Sequence, residues 1–277
     1  MTLEPGRLGE SKKVLALRLR ELRRRAGLTG DRLAKRCHMS QSQISKFETG
    51  KKTPGLVDVE RILRALNAPQ ELVSEITALA RIANTEWQDK RSSWRRGLGK
   101  RQTELAALEA EATESRYFLP SMITGLLATP EYIRASLSHS PGDTAKTVAA
   151  KLSRQGVLRD PSKVFTFILT EQAARWPIVP PPAMAAQLDH LVALSSHPGL
   201  QIGVIPLGVP MTRGPLNTFT VYDSWLATVE TFTGRMVFRD PRDIEYHLDL
   251  FSQYQRLAVF GETARAHLTE WAATYRG

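Results

Sequence analysis

Several kinds of chemistry are missing from this 277-residue chain. It has one cysteine, Cys37, which excludes an internal disulfide and any zinc site built from several thiolates. No apolar run approaches the roughly 20 residues of a membrane span, and residues 1–9 lack the apolar stretch of a secretion signal. A cytoplasmic, nucleoid-associated protein without membrane contact is therefore expected. The six histidines, at positions 38, 139, 190, 197, 247 and 267, form no His-Glu-x-x-His pair, and no Gly-x-Ser-x-Gly nucleophile elbow occurs. Gly97-Leu98-Gly99-Lys100 lacks the spacing of a phosphate loop, and Arg101 stands where a Mg²⁺-binding Ser or Thr would be needed. No enzyme, cofactor or metal is expected.

Acidic charge is also scarce in one part of the chain. Residues 1–101 hold 23 Lys and Arg against 11 Asp and Glu, a balance of +12, whereas residues 102–277 hold 15 against 17, a balance of −2. A basic module joined to a larger, near-neutral one suits a polyanion partner, because phosphate contacts supply most sequence-independent affinity for nucleic acid. Length alone favours two domains.

The basic part reads as five helices. Val14, Leu15, Leu19, Leu22 and Ala26 have helical spacing and stop at Gly27. Thr29 can cap a second short helix reaching about Cys37, and Ser40 a third from Gln41 to about Glu48. Leu56, Val59, Ile62, Leu63 and Leu66 mark a fourth, and Pro69 opens a fifth running to about Glu86. Residues 1–86 form this first domain. Residues 87–116 read as a connector followed by a helix over Thr103–Arg116. Residues 117–277 alternate candidate strands (Val164–Leu169, Gln201–Ile205, Asn217–Val221, Ala227–Phe232, Met236–Phe238) with helical patterns. The fold class is thus mixed α+β: a helical N-terminal domain, a linker helix, and a C-terminal α/β domain with one sheet.

The third helix carries the chemistry. Ile44 and Phe47 face inward, leaving Gln41, Ser42, Gln43, Ser45 and Lys46 outward. Short and amide side chains on a helix of this length can meet base edges in a major groove, glutamine pairing with adenine and lysine with guanine. Thr29, Arg32, Lys35, Lys51 and Lys52 surround this helix as phosphate contacts. The stretch Leu28-Thr29-Gly30-Asp31-Arg32-Leu33-Ala34, then Ser40-Gln41-Ser42-Gln43-Ile44-Ser45-Lys46-Phe47-Glu48, then Gly50-Lys51, resembles the Cro/phage-repressor (Xre) family of helix-turn-helix domains. The resemblance implies double-stranded DNA as partner, a homodimer on a pseudo-palindromic operator, and base reading by Gln41, Ser42 and Lys46. Gly30 departs from it, since relatives commonly carry a glutamine there that grips phosphate.

Downstream, Pro120-Ser121-Met122-Ile123-Thr124-Gly125-Leu126-Leu127-Ala128-Thr129-Pro130-Glu131-Tyr132 resembles a motif of actinobacterial regulators that join a Cro-type domain to an uncharacterised C-terminal domain. That resemblance implies an antitoxin-like regulator with a small partner protein encoded nearby. From their settings, Arg154, Gln155, Glu171, Gln187 and Glu230 either pair structurally or converge with Trp176, Phe219 and Tyr222 on a pocket for an effector or partner.

Overall fold

The computed structural model describes residues 8–89, 98–140 and 144–276. Trp94 and Gly97, both in the expected connector, lie outside them. The chain divides into two compact units, one of residues 1–87 with 236–240 and one of residues 88–235 with 241–277.

The first unit is a helical bundle: α1 (Leu8–Arg25), α2 (Gly30–Cys37), α3 (Gln41–Glu48), α4 (Leu56–Ala65) and α5 (Gln70–Asn84), followed by strand β1 (Thr85–Asp89). All five helices send side chains to one core, which includes Leu15, Leu19, Leu33, Cys37, Ile44, Phe47, Val59, Ile62 and Ile76. The caps are those the sequence predicts. Thr29 Oγ1 accepts from the Arg32 N–H at 3.2 Å, and Ser40 Oγ from the Gln43 N–H at 3.1 Å. Between them His38 adopts φ 54° and closes α2 through its own N–H. This three-residue turn fixes the angle between α2 and α3. The fifth helix ends two residues before the expected Glu86, where the backbone turns extended.

In the second unit a helix, α6 (Leu98–Glu111), precedes strand β2 (Glu114–Leu119). The expected helix over Thr103–Arg116 therefore begins earlier and stops sooner. Its last residues belong to a strand that lies inside the sheet, paired with β3 (Val164–Thr170) in parallel and with β5 (Phe219–Tyr222) antiparallel. Parallel β4 (Leu200–Ile205) lies beyond β3 and antiparallel β6 (Leu226–Glu230) beyond β5, giving the order β6-β5-β2-β3-β4, and β7 (Gly234–Phe238) follows β6 in the chain. Helices α7 (Pro130–Ser136) and α8 (Ala145–Arg154) connect β2 to β3, while α9 (Glu171–Arg175) and α10 (Pro181–Leu194) connect β3 to β4. The chain ends with α11 (Pro241–Leu257) and α12 (Gly261–Ala273). Near-continuous burial along β3 and β4 follows from cover on both faces, as parallel strands require. One face packs against α10 and α12 through Leu188, Leu191, Leu268 and Trp271. The other meets α11, where Tyr254 stacks on Phe118 at 3.9 Å and Phe251 meets Phe219 edge-on.

Candidate nucleic-acid interface

On α3, Ile44 and Phe47 are buried, while Gln41, Ser42, Ser45 and Lys46 are exposed and Gln43 half-exposed. The five residues singled out for base reading therefore share the outer face of one two-turn helix. Gln41 lies against the start of α2: a Cβ on Gly30 would meet its Nε2 at 3.7 Å. That is ordinary contact, so a side chain at position 30 has room, and the glycine is not dictated by space.

The phosphate candidates flank the same helix. Thr29 is exposed and its hydroxyl is occupied as the α2 cap. Arg32 and Lys35 are exposed along α2, with Lys35 Nζ 3.0 Å from Asp31. Lys51 and Lys52 follow α3 directly; the Lys52 N–H donates to the Lys46 carbonyl at 3.1 Å, and its ammonium lies 5.9 Å from the centre of the Phe47 ring.

An ion pair that sequence reading did not assemble holds the site in place. Arg23 donates through Nε and Nη2 to the two Glu48 carboxylate oxygens at 2.6 and 2.7 Å, and through Nη1 to the Leu28 carbonyl at 2.8 Å. One guanidinium thus joins the end of α1, the turn into α2 and the end of α3. The Glu48 hydrogen bond raises the Arg23 pKa further, so the guanidinium keeps its charge. The available signal was the Glu-x-Gly-Lys ending with an arginine two helices upstream.

Of the eight residues proposed for a pocket in the second unit, Gln155 and Gln187 meet on one loop and Arg154 and Tyr222 share one buried network, while Glu171, Trp176, Phe219 and Glu230 take other places. Gln187 is fully buried and uses both ends of its amide on the 120–132 loop, accepting from the Thr129 N–H at 2.7 Å and donating to the Leu127 carbonyl at 2.9 Å. Gln155 Nε2 donates to the Gly125 and Ala128 carbonyls. The conspicuous 120–132 motif is accordingly a packed loop with Ile123, Leu126, Leu127 and Tyr132 in the core. Glu171 accepts from the Leu207 N–H at 2.9 Å and from Arg175 at 2.6 Å. Phe219 and Tyr222 are buried in the sheet, Glu230 is half-buried at the end of β6, and Trp176 is exposed. A cavity of about 330 Å³ lies elsewhere, between α10 and the chain end, lined by Pro182, Ala185, Ala186, Asp189, Tyr275 and Arg276.

Arg154 enters a buried network that sequence reading did not assemble. Its Nε lies 2.9 Å from Glu109 Oε2, and its Nη1 donates to Gln102 Oε1 at 2.5 Å. The Tyr117 hydroxyl donates to Glu109 Oε1 at 3.1 Å. Burial raises Glu109 to about 7 despite the opposing charge of Arg154, and holds the Tyr117 hydroxyl well above its ordinary value. This network ties α6 to α8 and β2. Among the described residues no group of three or more His, Cys, Asp or Glu is placed to hold a metal ion, and no helix is long and apolar enough to cross a membrane.

The capped α2, the fixed turn and an outward polar face on α3 define a helix-turn-helix protein, and a model described as a helix-turn-helix domain matches residues 14–76. A model described as a domain of unknown function, DUF5753, matches residues 102–270, so the chain belongs to the DUF5753 family. No curated protein matches. Among solved structures, one titled as that of TrmBL2, "an archaeal chromatin protein" with "a novel mode of DNA binding", aligns at TM-score 0.33 and 11% identity. The alignment covers 73% of this chain and 64% of that one, a likeness too low to carry an argument.

Proposed function

We propose that this protein is a non-catalytic transcription regulator of the Cro/repressor type. It binds double-stranded operator DNA as a homodimer through residues 1–86, and an effector or small partner protein adjusts it through residues 117–277. The observation that carries the reading is the outer face of α3: Gln41, Ser42, Gln43, Ser45 and Lys46 on one side, with Ile44, Phe47 and the Arg23–Glu48 pair locking the other. A helix held this firmly presents these side chains to base edges without first having to be ordered itself. Two-fold symmetry places the two α3 helices about one DNA turn, roughly 34 Å, apart.

Genomic immunoprecipitation of the tagged protein, followed by salt-titrated binding on the best site, tests this. A pseudo-palindromic motif is expected. Lys46→Ala should relax base preference at one position of each half-site, by about 1–3 kcal/mol of discrimination. Arg24→Ala should weaken binding evenly across sequences or leave it unchanged. Equal indifference of both variants to sequence, or the absence of any enriched motif, would sink the assignment and leave an interaction protein whose DNA binding is secondary.

A further inference from the structure

Exposed apolar side chains in the second unit gather at one end of its sheet. Strands β2, β3 and β4 are parallel, so their C-terminal ends share that end; antiparallel pairing brings the start of β5 and the close of β6 to it. Met122 follows β2, Trp176 follows β3 and α9, Leu207 follows β4, Leu216 precedes β5, and Phe232 follows β6. Leu216 is 89% exposed and Phe232 96%; Leu207 and Trp176 are more than half exposed, and Met122 is 41% exposed.

The loops bearing these residues are tied together. The Phe219↔Val229 register continues to Thr218, whose carbonyl accepts from the Glu230 N–H at 2.8 Å, and two further steps along both chains reach Leu216 and Phe232. Thr170 Oγ1 donates to the Pro120 carbonyl, joining the loops after β2 and β3, and Glu171 joins those after β3 and β4 through the Leu207 N–H. Five adjacent strands at about 4.8 Å spacing make this rim roughly 20 Å wide.

We propose that this rim is where two copies of the chain associate, an inference that rests on the homodimeric reading above. Two features select a second copy as the occupant. Side chains of this size and exposure offer roughly 600 Å² of apolar surface, most of one partner's share of a standard interface of about 800 Å² and at the top of the range for the largest patch of a typical monomer. Charge points the same way: two basic N-terminal thirds at +12 repel each other without DNA, whereas residues 102–277 carry −2 and approach a copy of themselves without that cost. Leu216 and Phe232, almost wholly exposed, are the anchors.

The test is sedimentation equilibrium of the full chain without DNA, beside a Leu216→Ser/Phe232→Ser variant and a Val164→Ser control at the opposite end of the sheet. Both exposed positions of the double variant tolerate serine without disturbing the core, and an unchanged circular dichroism spectrum checks this. The expected result is a wild-type and control dimer at micromolar concentration, and at least hundredfold weaker association in the double variant. A monomeric wild type overturns the proposal, and so does a dimer that survives the double substitution. Duplex binding, measured separately, keeps the two readings apart: a dimer that ignores DNA sinks the regulator and spares the interface, while a DNA-binding monomer sinks the interface and the homodimer and spares only the DNA binding.

Discussion

At the scale of single residues, the half-buried Arg23–Glu48 pair and the buried Glu109–Arg154 pair lead to different predictions. Arg23 works through geometry, because its planar fork meets both oxygens of Glu48 while a third N–H holds the Leu28 carbonyl. Lysine keeps the charge but cannot reproduce the fork. Arg23→Lys should therefore destabilise the N-terminal bundle by about 2–3 kcal/mol in denaturant unfolding, and should weaken binding to every duplex although Arg23 reads no base. Unchanged stability would show that the pair does not hold α3 in place. Glu109 acts through protonation. Its folded pKa of about 7 lies above the ordinary 4.5, so the folded state holds the proton more tightly than the unfolded chain does. Stability contributed by this group is full below pH 4.5, is lost as pH rises toward 7, and is level above it. His190, whose pKa burial lowers, opposes this trend, so the measurement must be a difference. Unfolding free energies of wild type minus Glu109→Gln should fall by about 3 kcal/mol between pH 4.5 and 7.5. A flat difference would mean that Arg154 keeps Glu109 ionised throughout.

At the scale of elements, β4 depends on a missing side chain. A Cβ on Gly203 would stand 2.5 Å from the Phe260 ring, which lies against the strand next to the Val204–Val259 bridge. Gly203→Ala should cost about 1–3 kcal/mol by overpacking, and adding Phe260→Leu should recover part of it; strictly additive losses would show that the ring is not what the methyl meets. Elements with punctuation were readable in the sequence: Gly27, Thr29 and Ser40 announce the end of α1 and the bounds of α2 and α3 to within a residue or two, because caps and stops are local chemistry, whereas α1 starts at Leu8, six residues before the expected Val14. Strand β2 was not. Glu114-Ser115-Arg116 continues the charged texture of α6, and Tyr117-Phe118-Leu119 is an unalternating apolar run, buried because neighbours cover both faces. Periodicity cannot assign such a run. Phe232 failed in the opposite sense: β-branched and aromatic neighbours extended β6 through it, whereas the strand stops at Glu230 and Phe232 stands in the turn. The candidate DNA face followed the caps and was legible. The roles of Gln155 and Gln187, which depend on a loop 27 or more residues away in sequence, were not.

At the scale of the whole molecule, separating charge between the two parts of the chain divides the tasks proposed for them. A basic head gains affinity by releasing counterions from phosphate, and each contact it makes steepens the fall of affinity with salt. The slope therefore counts the contacts. Lys51 and Lys52 stand immediately after α3, whereas Lys35 is already 3.0 Å from Asp31 and must share its charge. Lys51→Ala/Lys52→Ala should reduce the slope of log affinity against log salt by about 1.8 on a fixed duplex, and Lys35→Ala by less than about 0.9. Substituting Arg213, an exposed cation in the near-neutral part that lies over Tyr246, should leave the slope unaltered. If removing Arg213 flattened the slope as much as removing Lys51 and Lys52, DNA would be meeting the C-terminal part as well, and the assignment of phosphate contacts to the head alone would fail.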